Sequence, residues 1–167
     1  DGVLLRSHLE MQRLSEEFQQ GARMARLLAP LVAAARAARI ERPVRVVDVG
    51  CGLGYVTRWL AATGSLGDAV ELIGCDYNRA LVAEAERLAN LEQLRCRFLV
   101  ANAFALAEPA DVYTSTGVIH HFRGPALAEL FAAQTRTAPL GFVHCDIKPS
   151  WAAPLGSWLF HEARMRE

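Results

Sequence analysis

Two groups of residues in this sequence have the types and spacing for chemistry. The first is Asp48-Val49-Gly50-Cys51-Gly52-Leu53-Gly54. Glycines at alternate positions let the chain turn sharply and leave the backbone N–H groups open to a ligand. Asp48 sets a carboxyl just ahead of the first glycine, and a second acid, Asp76, ends Ile73-Gly74-Cys75-Asp76. A carboxylate there can accept hydrogen bonds from two neighbouring hydroxyls, which favours a ligand with a ribose. The alternative is that Asp76 caps a helix starting near Arg79. The second group is His120-His121, within Thr116-Gly117-Val118-Ile119-His120-His121-Phe122. Imidazoles change charge near neutral pH and suit proton removal. Adjacent turn residues point apart, so at most one faces a substrate, and His121 is preferred; alternatively both are structural.

The glycine spacing narrows the ligand. Dinucleotide sites use G-x-G-x-x-G, whereas here the third glycine, Gly54, comes one position early and Tyr55 stands in its place. No Lys-Ser/Thr pair follows, so this is not a P-loop. His144-Cys145-Asp146 does not read as a metal site, because successive strand residues point to opposite faces, and no metal is expected.

Positioning these groups requires an alternating fold. Residues 1–42 read as amphipathic helices with Leu4, Leu5, His8, Leu9, Met11, Leu14 and Phe18 at helical spacing. Gly21 is the expected break and Pro30 an expected kink or restart. These helices pack on a sheet face or form a lid over a ligand. From Pro43 the period changes. Strands are expected at 44–49, 70–75, 97–100, 111–115 and 141–147, and helices at 57–62, 79–89 and 125–135. Strands alternating with helices predict an α/β fold, a Rossmann-like, doubly wound, mostly parallel sheet covered on both faces. The chain divides into helices over 1–42, a ligand-binding core over 43–147, and a helical segment over 148–167 whose Trp151, Trp158 and Phe160 are core residues or a wall of an apolar acceptor pocket.

Composition sets limits. The chain has 167 residues, 52% of them hydrophobic, which suits one globular domain. Lys+Arg and Asp+Glu are 18 each, so no net charge draws it to nucleic acid or an anionic membrane. Lys148 is the only lysine; the arginine and alanine bias fits a GC-rich bacterial genome. Cys51, Cys75, Cys96 and Cys145 form no Cys-x-x-Cys pair. Reduced thiols in the cytoplasm are expected, and no apolar run is long enough to span a bilayer.

Val46-Val47-Asp48-Val49-Gly50-Cys51-Gly52-Leu53-Gly54 resembles motif I of the class I S-adenosylmethionine-dependent methyltransferases. The resemblance extends in the family's order over about residues 20–150. It implies S-adenosyl-L-methionine as cofactor, bound by Asp48, Gly50, Cys51, Gly52, Gly54, Asp76, Tyr77, Asn102, Ala103 and Thr116. In this family the position of Asn102 is commonly Asp, which meets the adenine amino group. Asn keeps an acceptor oxygen but loses the charge, or it is simply a turn residue. The segment with His120 and His121 is similar to the one lining the family's methyl-transfer site, where paired histidines before an aromatic recur. The family sheet has seven strands ending in an antiparallel hairpin. Five are legible here, and the stretch 148–167 is too short for a helix and that hairpin, so a fragment or a shortened variant is expected. A fifth strand left open on one side makes a homodimer compatible with the sequence.

The implied activity is methyl transfer to a small-molecule acceptor by in-line displacement. The alternative is a module that binds S-adenosylmethionine or S-adenosylhomocysteine without turnover, with a regulatory or assembly role. A nicotinamide-dependent oxidoreductase is disfavoured by the glycine spacing. No basic stripe points to nucleic acid.

Overall fold

The computed structural model describes residues 2–38, 42–106, 109–138 and 140–146. The expected C-terminal helix with Trp151, Trp158 and Phe160 lies outside the described residues. Two helices lead, α1 (Gly2–Glu17) and α2 (Gln20–Ala37). Then follow β1 (Val44–Val49), α3 (Tyr55–Thr63), β2 (Val70–Asp76), α4 (Arg79–Leu91), β3 (Arg97–Val100), β4 (Val112–Thr116), α5 (Pro125–Thr137) and β5 (Gly141–Cys145). A single 3₁₀ turn, Ile119–His121, lies between β4 and α5.

The five strands form one sheet in the order β3-β2-β1-β4-β5, and every pair is parallel. This is the expected α/β architecture. The β-branched run of β1 suits a central strand buried on both sides, and five of its six residues are buried. Alternation sorts the sheet into two faces. Val44, Val46, Leu72 and Val112 meet Met24, Leu28 and Val32 of α2 and Val56 and Leu60 of α3. Phe98, on the same face, packs with Val82, Ala85 and Ala89 of α4. Val47, Val49, Ile73, Cys75 and Tyr113 form the opposite core. On that side α5 docks, with Tyr113 Oη accepting a hydrogen bond from Thr137 Oγ1 at 3.2 Å and His144 Nε2 lying 2.7 Å from Gln134 Oε1. Strand order reverses between β1 and β4, where open parallel sheets bind ligands at their carboxyl ends.

The helical break falls at Gln19, not Gly21. Gln19 adopts left-handed φ of 51° between α1 and α2. Gly21 lies inside α2, where a Cβ would overlap the Trp59 ring, so its missing side chain serves packing. Pro30 lies inside a continuous α2 and does not restart it. It and Arg26, whose carbonyl loses its helical partner, are both exposed, so water can satisfy the freed group.

Gly54 is tightly constrained. Its φ is 71°, and a Cβ there would overlap the Phe98 ring. Gly54→Ala is expected to lower stability by about 2–4 kcal/mol, adding left-handed strain to overpacking. The reading is a lower denaturant midpoint at unchanged m value. A loss below about 1 kcal/mol, within the range of ordinary substitutions, would mean that the start of α3 can slide away from Phe98.

Candidate functional site

The glycine loop follows β1 and is folded against the end of β2. Gly50 and Gly52 have φ of 68° and 55°, the left-handed region open to glycine. The Gly50 and Cys51 N–H groups both donate to the Cys75 carbonyl, at 2.8 and 3.0 Å. Asp76 completes the bracing: Oδ2 accepts the Gly52 N–H at 3.0 Å and Oδ1 accepts the Asn78 N–H at 2.9 Å. The cap of α4 is Asn78, whose Oδ1 accepts from Ala80 and Leu81; Asp76 is not that cap. Each Asp76 oxygen retains acceptor capacity toward the cavity.

That cavity, of about 330 Å³, opens at the carboxyl ends of β1, β2 and β4. Its floor is Gly50, Cys51, Gly52 and Leu53, with Asp76 and Tyr77 on one side and Thr116, Gly117 and Val118 on the other. A Cβ on Gly50 would lie 2.7 Å from Val118 Cγ2, and one on Gly52 would lie 3.2 Å from the His8 ring. A side chain at Gly50 would therefore displace Val118, while at Gly52 it would strain the left-handed backbone and press on His8. Tyr77 is 80% exposed, its ring at the rim.

Beneath the floor lies a small recess that shares Ser15, Gly50, Cys51, Tyr55 and Thr116 with the cavity and adds Gln20, Asp48 and Val56. Asp48 Oδ2 accepts the Thr57 hydroxyl at 3.1 Å. Its Oδ1, Gln20 Oε1 and Thr116 Oγ1 are all buried and lack partners among the described residues. Burial pushes the Asp48 carboxyl up to about 7; the Thr57 hydroxyl works against this, and the neighbouring Asp76 charge adds to it. Burial also pushes the Cys51 thiol well above its ordinary range, with Asp48 next in effect, so this cysteine is a neutral wall group and not a nucleophile.

The paired histidines do not point apart as expected, since the short turn leaves their rings side by side, but they differ in what they face. His121 lines the cavity and His120 does not. His120 Nδ1 is 2.8 Å from Asp146 Oδ1, and the two imidazole rings lie 4.1 Å apart. Two further residues named from sequence stand outside the cavity wall. Asn102 Oδ1 accepts the Phe104 N–H at 3.0 Å in a tight turn, and Ala101 and Ala103 on either side supply the lining. Gly54 acts through Phe98, as above. The apparent His144-Asp146 grouping also divides, since His144 joins Ser115 and Gln134. No group of three His, Cys, Asp or Glu among the described residues is placed to hold a metal ion.

The lid reading of the N-terminal helices named no cavity residues; α1 supplies a wall through His8, Met11, Gln12 and Ser15. Their i, i+3, i+4, i+7 spacing is a single helical stripe, a signal available in the sequence, although three of its four residues are polar. His8 Nδ1 lies 3.0 Å from the Leu4 carbonyl. A carbonyl only accepts, so Nδ1 donates and Nε2 is the nitrogen left free of this bond. Gln12 Oε1 accepts from Arg58 Nη2 at 2.9 Å, and Arg58 also pairs with Glu92, tying α1 to α3.

A model of the methyltransferase domain matches residues 46–139, more than half of the chain. The chain belongs to the methyltransferase-domain family. This methyltransferase domain is 31% identical over 97 residues to ribosomal RNA small subunit methyltransferase A of Myxococcus xanthus (strain DK1622), a match covering 58% of the chain and 33% of the relative. The chain thus spans about a third of the length of that curated relative. Among solved structures it resembles the one described for conversion of a disulfide bond into a thioacetal group during echinomycin biosynthesis. The identity is 28%, with 65% of this chain and 46% of the other covered and a TM-score of 0.51. It also shares its fold with magnesium protoporphyrin IX methyltransferase from Synechocystis PCC 6803 with bound S-adenosylmethionine, at 20% identity, covering 74% and 57%, with a TM-score of 0.53.

Proposed function

We propose that this methyltransferase domain binds S-adenosyl-L-methionine and that the protein transfers its methyl group to a small molecule. The observation that carries the reading is the recess. Three buried oxygens without partners among the described residues, on Gln20, Asp48 and Thr116, line one recess beside the glycine loop. Buried polar groups left unsatisfied are costly, and an ammonium group, which only donates, complements acceptors of this kind. Asp48 and Thr116 would hold the amino end of the cofactor, the Gly50–Gly52 backbone would lie under it, and Asp76 would take the ribose hydroxyls. Tyr77 would cover the adenosine from the rim, with Ala103 beside it. The cofactor supplies a methyl group already activated on a sulfonium.

The domain's own work is then alignment and exclusion of water. Aligning two reactants is worth about 7–11 kcal/mol. Met11, Val118 and Phe122 give the cavity apolar wall. His121 is the side chain suited to take a proton from a hydroxyl or ammonium acceptor. The balanced charge of the chain, 18 basic and 18 acidic residues, favours a small acceptor over a nucleic acid. Four thiols without disulfide partners are compatible with the cytoplasm. The sheet edge at β5 is compatible with a homodimer.

The test is calorimetry with S-adenosylmethionine, S-adenosylhomocysteine and NAD, followed by transfer of tritiated methyl to pooled small metabolites and to RNA. Binding of the first two ligands without NAD, and label in the small-molecule pool, is expected. No binding by folded chain would end the cofactor reading, and label in RNA alone would end the small-acceptor reading. Binding without transfer to either pool favours the non-catalytic module.

A further inference from the structure

We infer that Asp146 is a positioning residue, one that sets His121 at the cavity by acting through His120. This deepens the methyl-transfer reading and rests on it for its purpose, though the contact itself is independent of the ligand.

The topology brings the two segments together. β4 and β5 are parallel neighbours, Thr116 pairs with Cys145, and the Gly117 N–H donates to the Cys145 carbonyl at 2.8 Å. Both chains therefore leave the sheet at the same edge. Asp146 is the first residue beyond β5, and His120 lies in the 3₁₀ turn beyond β4. Asp146 Oδ2 accepts the His120 backbone N–H at 2.9 Å, and Oδ1 lies 2.8 Å from His120 Nδ1. One carboxylate thus grips both the backbone and the ring of the same residue.

The turn has little support of its own. It contains three residues, Val118 at its start offers no side-chain cap, and it is entered through Gly117 at φ 67°. Its internal bonds are His121 N–H to Val118 at 3.1 Å and Phe122 N–H to Ile119 at 3.0 Å. Asp146 supplies from a neighbouring strand the acceptor that a local capping residue would otherwise provide. A carboxylate ion only accepts, so His120 Nδ1 carries a proton, which selects one tautomer for the ring in its neutral form. The Asp146 side chain is 18% exposed and that of His120 38%, so water reaches the contact chiefly from the His120 side. The His121 ring stands 4.1 Å from that of His120, tilted by 40°. With His120 held at two points, His121 has its backbone and one ring face set.

The experiment is long-range nitrogen–proton NMR of the imidazoles in the 167-residue chain, with S-adenosylhomocysteine titration of each variant. In the unaltered protein His120 is expected as the Nδ1–H tautomer. Asp146→Asn offers one acceptor where two are used and places an amide donor against the other N–H. It is expected to remove the single tautomer and move the His121 signals, while S-adenosylhomocysteine affinity stays within about twofold, under half a kcal/mol. His120→Asn keeps a donor near the Nδ1 position and should retain the His121 signals; His120→Leu should lose them. A His120 Nε2–H tautomer in the unaltered protein, or His121 signals unmoved in both Asp146→Asn and His120→Leu, overturns the inference. If Asp146→Asn fails to fold, the two His120 variants decide. Failure of the unaltered chain to bind S-adenosylhomocysteine would sink the cofactor reading, while the ring signals still decide the Asp146 contact.

Discussion

Asp76→Ala loses at least about a hundredfold in S-adenosylhomocysteine affinity. Each hydrogen bond to a charged group contributes roughly 1.5–3 kcal/mol, and two ribose hydroxyls would sit on this carboxylate. Every 1.4 kcal/mol is about tenfold in affinity, so losing both gives at least two decades. A second loss comes from within the protein, because Asp76 accepts the Gly52 N–H and so braces the loop. Asp76→Asn should do little better. Its single oxygen cannot serve Gly52, Asn78 and a diol together, and its amide sets a donor against donors. Calorimetry reads the affinity, and circular dichroism verifies that the sheet is intact. Wild-type affinity in a folded Asp76→Ala would remove Asp76 from the cofactor site and leave it only its bracing role.

The second large effect is proton linkage at Asp48. Its carboxyl is pushed up to about 7 by burial, so at pH 6 the free protein holds it mostly protonated. Receiving a cationic amino group requires the ionised form. Binding of S-adenosylhomocysteine should therefore release a proton and weaken about tenfold from pH 8 to pH 6. Calorimetry in buffers of differing ionisation heat measures the released proton directly. Asp48→Asn should bind more weakly at pH 8 and lose this pH dependence. An affinity equal at pH 6 and pH 8 in the unaltered chain would mean that Asp48 does not face the amino group.

The sign for folding is the reverse. Asp48 holds its proton more firmly when folded than the ordinary carboxyl at roughly 3.9. Its contribution to stability is therefore full below that range and is lost as pH rises through about 7. His144 opposes it. Burial lowers this imidazole to about 4, so the unfolded chain takes up a proton that the folded one refuses. That contribution is present above the ordinary 6.5 and is lost as pH falls toward 4. Between those limits the two groups tilt the fold in opposite directions, while ligand binding keeps its slope.

The core of the site is legible in the sequence because it is local. Asp48, the three glycines and Asp76 lie at the ends of two strands, where a change of period marks the boundaries. What depends on tertiary contact is harder to read. Gly21 looks like a break until Trp59 is seen above it, and Gln19 takes the left-handed turn instead. Asn102, the expected acceptor for adenine, also takes the Phe104 N–H two residues on, a turn contact that the family resemblance does not reveal. Asp146 is 26 residues from His120, and only the adjacency of β4 and β5 joins them. The α1 stripe was readable as a face, and periodicity left open whether it met the sheet or a ligand.

No residue of α1 is buried, although this helix forms one wall of the cavity. Lifting its 16 residues about the turn at Gln19 breaks the Gln12–Arg58 link and leaves the sheet and its two cores closed. Exchange of ligand therefore needs only a local opening, of the low-energy kind seen at lids. A bound ligand provides α1 with the contact that it lacks toward the sheet. Proteolysis within α1 is therefore expected to slow as S-adenosylhomocysteine is added.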